Sequence, residues 1–304
     1  MTGKGRGKGL KDLCELCPRR CGADRREKAG FCGCGREVKV ARAALHFWEE
    51  PCISGSRGSG TVFFSGCPLG CVYCQNFEIS RGHIGKAIPV ERLAEIFLEL
   101  QKQGAHNINL VTATPYVPQI ISALKLARPA LKIPVVYNSS GYERVETLRV
   151  LKGFVDVYLP DLKHMSSELA RRYSGAADYF EVATRALHEM IEQTDGIEYD
   201  SEGLMTRGVI VRHLVLPGAR RDSIDILNWV SANLPRGKYL LSLMSQYTPI
   251  QGLGAFPEIN RRVTSFEYDA VVSEAVRRGL DNGFMQQRGS ADTAYIPPFD
   301  LTGV

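Results

Sequence analysis

All nine cysteines of this 304-residue chain fall between positions 14 and 74, and none follows. A disulfide framework spreads its bridges through a fold and needs an oxidising compartment. Thiols crowded into one quarter of a chain read instead as ligands for metal or iron–sulfur. They form two groups. The first is Cys14-x2-Cys17-x3-Cys21-x10-Cys32, with Cys34 two residues on. The second is Cys67-x3-Cys71-x2-Cys74, and Cys52 stands alone between them.

The remaining composition is that of a globular protein. Apolar residues make up 44% and charged residues 23%, enough for a core and a hydrated surface. No run of eighteen apolar residues occurs, and the basic N-terminus lacks the apolar stretch of a secretory signal. A soluble cytoplasmic protein with no membrane partner is therefore expected. Charge is uneven: residues 1–42 hold twelve Lys and Arg against five Asp and Glu, a net of +7, while the remainder is at −2. Such asymmetry marks a solvated tail or a contact with a polyanion.

Three segments follow from the pattern. Residues 1–10 alternate Gly with Lys or Arg and are expected to form a disordered basic tail. Residues 11–52 form a Cys-rich metal-binding segment, too short for a core of its own. From 53 to 304, short β-rich runs alternate with helical periodicity. The strand candidates are Thr61–Ser65, Asn107–Thr112, Pro134–Asn138, Val155–Leu159, Val209–Leu216 and Tyr239–Met244. Val90, Leu93, Ile96, Phe97 and Leu100 share one helical face, as do Phe180, Ala183, Leu187, Met190 and Ile191. A third helix is suggested by Val271, Val272, Ala275, Val276 and Leu280. Alternating strands and helices predict an α/β fold with parallel βαβ units. Six strands suit a partial (β/α)6 TIM-like barrel with an N-terminal Cys-rich extension.

The triplet Cys67, Cys71 and Cys74 follows the first of these strands directly. Loops at the C-terminal ends of barrel strands carry chemistry. A four-iron cluster takes four thiolates, so three closely spaced ones leave one iron open. With an aromatic residue, Tyr73, just before its last cysteine, the triplet resembles that of the radical S-adenosylmethionine (SAM) enzymes. Further similarity, to a branch of pyruvate formate-lyase activating-enzyme homologues, is carried by Cys14-Glu15-Leu16-Cys17-Pro18-Arg19-Arg20-Cys21 and Gly30-Phe31-Cys32-Gly33. Pro51-Cys52-Ile53-Ser54-Gly55, Cys74-Gln75-Asn76-Phe77-Glu78-Ile79-Ser80 and Tyr295-Ile296-Pro297-Pro298-Phe299-Asp300 extend it.

The resemblance implies that Cys67, Cys71 and Cys74 hold a [4Fe–4S] cluster whose open iron chelates the amino and carboxylate groups of SAM. One electron, from a flavodoxin- or ferredoxin-type donor, then cleaves the sulfonium to methionine and a 5′-deoxyadenosyl radical. That radical abstracts hydrogen from a substrate, most simply a protein or peptide such as a glycyl radical enzyme. Tyr73 would lie near the adenine. Asp161 and Lys163, in an Asp-x-Lys pattern on one side of a strand end, would meet the ribose and the carboxylate. Arg212 matches a family arginine for the carboxylate or the substrate.

Activating enzymes usually receive the SAM amino group on a Gly-Gly-Glu, but residues 109–115 here read Asn-Leu-Val-Thr-Ala-Thr-Pro. Thr112 and Thr114 are candidate acceptors, or else caps of the next helix. Ser139 belongs to a small polar cluster at the same rim. His164 reads as a loop residue and His213 as a packed one. Beside the resemblance stand other readings of the cysteines. The triplet could hold structural zinc with His83, and Cys14, Cys17, Cys21 and Cys32 could hold zinc or a second iron–sulfur cluster. The alternative function is a zinc-stabilised nucleic-acid-binding or RNA-modifying protein, although few aromatics interleave with the basic residues. No catalytic side chain is assigned.

Overall fold

The computed structural model describes residues 13–286 and 296–304. The tail expected over residues 1–10 lies outside them, as does Tyr295. Among the described residues there are ten strands: β1 (Val38–His46), β2 (Ser59–Phe64), β3 (Lys86–Ile88), β4 (Ile108–Val111), β5 (Val135–Ser139), β6 (Val157–Pro160), β7 (Glu198–Tyr199), β8 (Met205–Leu214), β9 (Leu240–Met244) and β10 (Gly283–Met285). The α-helices are α1 (Pro51–Ser54), α2 (Phe77–Ser80), α3 (Val90–Lys102), α4 (Val117–Ala127), α5 (Val145–Leu151), α6 (Ser167–Ser174), α7 (Tyr179–Thr194), α8 (Arg220–Asn233) and α9 (Ser265–Arg277).

The strands form one mixed sheet in the order β3-β1-β2-β4-β5-β6-β8-β9-β10, with β7 beside β8. Every neighbouring pair from β2 to β10 is parallel. β1 and β3 add an antiparallel edge. All six expected strands are present, and β10 adds a seventh to the parallel set. The reading also missed β1, which lies within the segment given to the cysteines yet is hydrogen-bonded into the main sheet.

The strands of the parallel set are apolar because both their faces are covered. β2, β4, β5, β6 and β9 are buried along their whole length. Val135 and Tyr137 face the helices, whereas Val136 and Asn138 face the other way. The three expected helices are α3, α7 and α9, and each buries apolar residues, but Val276 of the third is exposed and Leu280 lies past the end of α9.

The second face is closed at one end by α1. Cys52 and Ile53 pack against Val136, Val157, Leu159, Ile210 and Leu240. The Asn107 amide secures the plug by donating to the Ile53 carbonyl at 2.8 Å. Just before α1, the Glu49 carboxylate touches Asn109 on β4 (3.1 Å), Asn138 on β5 (3.2 Å) and Arg212 on β8 (3.2 Å). In a flat sheet β4 and β8 lie three strand spacings apart, roughly 14 Å. Side chains from three strands thus converge across that width on one carboxylate.

Candidate functional site

The strand ends of β2, β4, β5, β6, β8 and β9 border one cavity of about 230 Å³. Cys67, Cys71 and Cys74 line it from the loop after β2. Burial raises the Cys67 thiol above its ordinary value, and the thiols of Cys74 and Cys71 raise it further. Burial likewise raises Cys74, followed by the charge of Cys71. The three sulfurs therefore share one weakly solvated space. Hydroxyls and amides turn toward them: Ser174 meets Cys71 at 3.1 Å, Ser80 donates to Cys74 at 3.3 Å, and the Leu69 and Asn76 amides bond Cys67 and Cys74. Donors of this kind stabilise thiolate, the ligating form.

Opposite the thiols lies a buried charge network. Lys163 Nζ donates to Asp161 at 2.6 Å, and Arg212 reaches the other Asp161 oxygen at 3.0 Å. Arg212 also donates to Asn138 Oδ1 at 2.6 Å and to Glu49 at 3.2 Å. Burial alone would raise the Asp161 carboxyl, but Lys163 and Arg212 more than offset it and hold it below the usual range. Glu49 and Glu50 go the other way, because burial outweighs the attraction of Arg212. Arg212 Nε, Glu50 Oε2 and Asn109 Oδ1 are buried with no partner among the described residues. Three carboxyls against two cations leave the network acceptor-rich.

A single hydroxyl fixes the loops that carry this network. Tyr179 Oη sits 2.8 Å from the carbonyls of both Ser140 and Asp161 and accepts from the Lys163 amide at 3.0 Å. Gly141 (φ +75°) turns the chain there, and any Cβ would collide with the Asp161 carbonyl.

The expected site residues divide clearly. Tyr73, Thr112, Ser139, Asp161, Lys163 and Arg212 all line the cavity with the triplet. Thr114 does not. Its hydroxyl donates to Glu143 at 2.6 Å and accepts from Tyr137 at 3.3 Å, on the helix side. Thr112 adopts φ +59°, uncommon for a β-branched residue, and the short helical turn at Thr114–Tyr116 follows and carries Thr114 away.

His213 packs as expected, between the Leu162 carbonyl (2.7 Å) and Ser223 (2.9 Å), and burial lowers it to about 4. His164 is not a loop residue in the exposed sense. It is fully buried, 3.1 Å from the Tyr73 hydroxyl and 3.2 Å from Ser174, and burial lowers it to about 3, so the ring is neutral. Glu49, Glu143 and Tyr179 were missed, and no local pattern marks them.

The order of strands, the thiol loop after the first of them and the Asp-x-Lys at another strand end occupy one stretch of chain. The model of the "Radical SAM superfamily" matches residues 61–229, which holds the triplet, Asp161, Lys163 and Arg212. The chain belongs to the radical SAM superfamily. It is 33% identical over 277 residues to "uncharacterized protein MJ0674" of Methanocaldococcus jannaschii, covering 88% of this chain and 75% of that one.

Among solved structures, its fold is similar to HydG, described as a maturase of the [FeFe]-hydrogenase (TM-score 0.51, 15% identity, 72% of this chain and 49% of that one). A second is the FeFe-hydrogenase maturase HydG from Carboxydothermus hydrogenoformans (TM-score 0.50, 12% identity, 78% and 56%). The chain spans about half the length of the solved structures it matches. Radical SAM membership implies an enzyme with a [4Fe–4S] cluster and SAM. The donor set fits: three thiols, two supported by backbone amides and one by a hydroxyl, share a cavity with a cation, a carboxylate and hydroxyls.

Proposed function

We propose that this radical SAM enzyme holds its cluster through Cys67, Cys71 and Cys74 and abstracts hydrogen from a protein or peptide, in the manner of glycyl-radical-activating enzymes. When bound, cluster and SAM supply one-electron cleavage of a sulfonium, which yields a hydrogen-abstracting radical. Lys163 provides the cation for a carboxylate, and Asp161 an acceptor for ribose hydroxyls. Glu49, Asp161 and Asn138 hold the Arg212 guanidinium in place beside them. Thr112 keeps a hydroxyl at the cavity for the amino group, a role Thr114 cannot share; Ser139 lines the cavity, but its hydroxyl is turned to Glu143. Tyr73 forms the wall on the adenine side, its hydroxyl fixed by neutral His164. Phe63, Leu214 and Met244 exclude water.

The observation that carries the polypeptide reading is the outer wall. Trp48 lines the cavity yet is 55% exposed, with Phe47 beside it at 50%. An aromatic lip of this kind anchors peptide chains. The competing nucleic-acid reading draws on the net charge of residues 1–42, but two of those cations face inward. Arg19 donates to the carbonyls of Pro68 (2.9 Å) and Gly175 (2.7 Å), and Arg25 to those of Cys34 (3.3 Å) and Pro115.

The test is anaerobic reconstitution with SAM and dithionite, followed by measurement of 5′-deoxyadenosine. Lys163→Ala is expected to weaken SAM binding about tenfold, equivalent to about 1.4 kcal/mol. Trp48→Ala should lower deuterium transfer from a labelled polypeptide more than it lowers SAM cleavage without one. Absence of SAM cleavage in the wild type defeats the reading. Transfer from small metabolites but from no polypeptide defeats its substrate half.

A further inference from the structure

Cys14, Cys17, Cys21 and Cys32 are gathered by a small fold of their own. Leu13 pairs with Asp24, the Cys14 amide donates to the Ala23 carbonyl at 3.0 Å, and the Gly22 amide returns to Cys14 at 3.1 Å. A second turn, with the Gly30 amide on the Cys34 carbonyl at 3.1 Å, brings Cys32 back to this hairpin. The two turns meet at Gly30. A Cβ there would lie 3.1 Å from the Cys21 sulfur and 3.6 Å from that of Cys32. Its φ is outside the left-handed region, so glycine answers to the space the sulfurs need and not to backbone conformation.

Backbone amides support these thiols as they support the triplet. The Leu16 amide bonds Cys14, that of Arg19 bonds Cys17 and that of Cys34 bonds Cys32, each from two residues downstream. Leu69 on Cys67 and Asn76 on Cys74 repeat the spacing. Amides aimed at sulfur favour thiolate and tune an iron–sulfur centre. Among the described residues, no three His, Cys, Asp or Glu side chains close onto a point that would hold one ion. A tetrahedral zinc site would need sulfurs about 2.3 Å from a common centre. The triplet, which belongs to an iron–sulfur family, likewise closes onto no such point.

Cys34 is not a fifth ligand. Its thiol lies between the carbonyls of Cys32 (3.5 Å) and Ser65 (3.4 Å), and a Cβ on Gly66 would collide with its sulfur. The segment is therefore pressed against the backbone that leads into Cys67. Arg81 ties the same surfaces together, donating to the carbonyls of Phe31 (3.4 Å) and Leu69.

We propose that Cys14, Cys17, Cys21 and Cys32 hold a second iron–sulfur cluster, seated behind the triplet, which passes single electrons to it along Cys32, Cys34, Ser65 and Cys67. The relay rests on the triplet being cluster ligands, whereas the second cluster does not. Each transfer oxidises the second cluster by one electron and reduces the first by one, with no bond made or broken. A one-electron donor of the flavodoxin or ferredoxin class restores it through the exposed Cys21 side.

The experiment uses the full chain, purified anaerobically, with iron, sulfide and zinc measured in wild type, in a Cys67→Ala/Cys71→Ala/Cys74→Ala variant and in a Cys14→Ser/Cys17→Ser variant. The triplet variant leaves the proposed site intact and is expected to retain about four irons and about four sulfides. Zinc in their place, or neither metal, overturns the second cluster. Equal iron in the wild type and the triplet variant would instead count against the triplet. For the relay, the dithionite-reduced wild type should give an electron paramagnetic resonance spectrum broadened by coupling between two centres. A wild-type spectrum equal to the sum of the two variants' spectra overturns the adjacency.

Discussion

Glu143 shows how much one side chain can carry without any sign in the sequence. Its carboxyl is 1% exposed among the hydroxyls of Thr114, Ser139 and Tyr137, with no cation against it. Burial raises it from 4.5 to about 7, against the lowering effect of those hydroxyls. The folded state therefore keeps its proton longer than the unfolded chain does. Stability is full below pH 4.5 and falls as pH rises toward 7, by no more than about 3 kcal/mol. Glu143→Gln should flatten that part of a urea-midpoint profile across pH 4.5 to 7, and an unchanged slope would remove the explanation. Glu49 is a different case, because its buried carboxylate faces a guanidinium. Glu49→Ala strips one partner from Arg212 and is expected to lower stability by roughly 3 kcal/mol, read as a reduced urea midpoint at constant m. The sequence announced the triplet and Asp-x-Lys because their spacing is local. Glu49 was illegible because its partners lie 60, 89 and 163 residues away. Thr114 leaves the cavity because the backbone turns out of the strand at Thr112 (φ +59°), a turn with no local mark in the sequence.

Elements were legible wherever their period was unbroken. The six predicted strands are runs buried on both faces, and α3, α7 and α9 keep one apolar stripe each. β1 fails this test for a physical reason. Val40 pairs with Phe64 and Arg42 with Phe63, so Ala41 is an extra residue and the strand carries a bulge. Buried positions accordingly switch from Val38 and Val40 to Ala41 and Ala43, which hides the alternation. β10 has three residues, too few for a pattern. The start of α9 was legible and went unread: Thr264-Ser265-Phe266-Glu267 is a capping box. Glu267 accepts from the Thr264 amide at 2.9 Å while its own amide donates to Thr264 Oγ1 at 3.2 Å. Glu267 also holds Arg261 (2.7 Å) and the Gly218 amide (2.7 Å), so the box anchors the loop after β8. Thr264→Ala should destabilise the protein by about 1 kcal/mol, measured by thermal melting of the metal-free chain, with Thr264→Ser restoring most of it.

Across the whole molecule, the C-terminal end of the described chain converges on one sheet edge and on the cavity. Residues 296–304 run along β1: Ala43 donates to the Thr302 carbonyl at 2.8 Å and Leu301 to that of Ala41 at 3.0 Å. Arg42 pins the strap through Asp300 at 2.7 Å, Phe299 packs on Phe63 with ring centres 5.5 Å apart, and Ile296 enters the cavity wall. Phe299→Ala should cost about 3 kcal/mol and speed hydrogen exchange at the Ala43 and Leu301 amides. Exchange faster everywhere in equal measure would show that the strap is not a separate unit. Residues 295–300 stand out by resemblance alone, because a strap of a few residues has neither period nor composition to show where it packs. Its consequence is one of timing. A chain still being synthesised can finish β2 through β9 before residue 296 has left the ribosome, and until that residue emerges the cavity lacks the part of its lining that Ile296 supplies. Iron delivered before residue 296 emerges would meet a pocket with that part of its wall open to water.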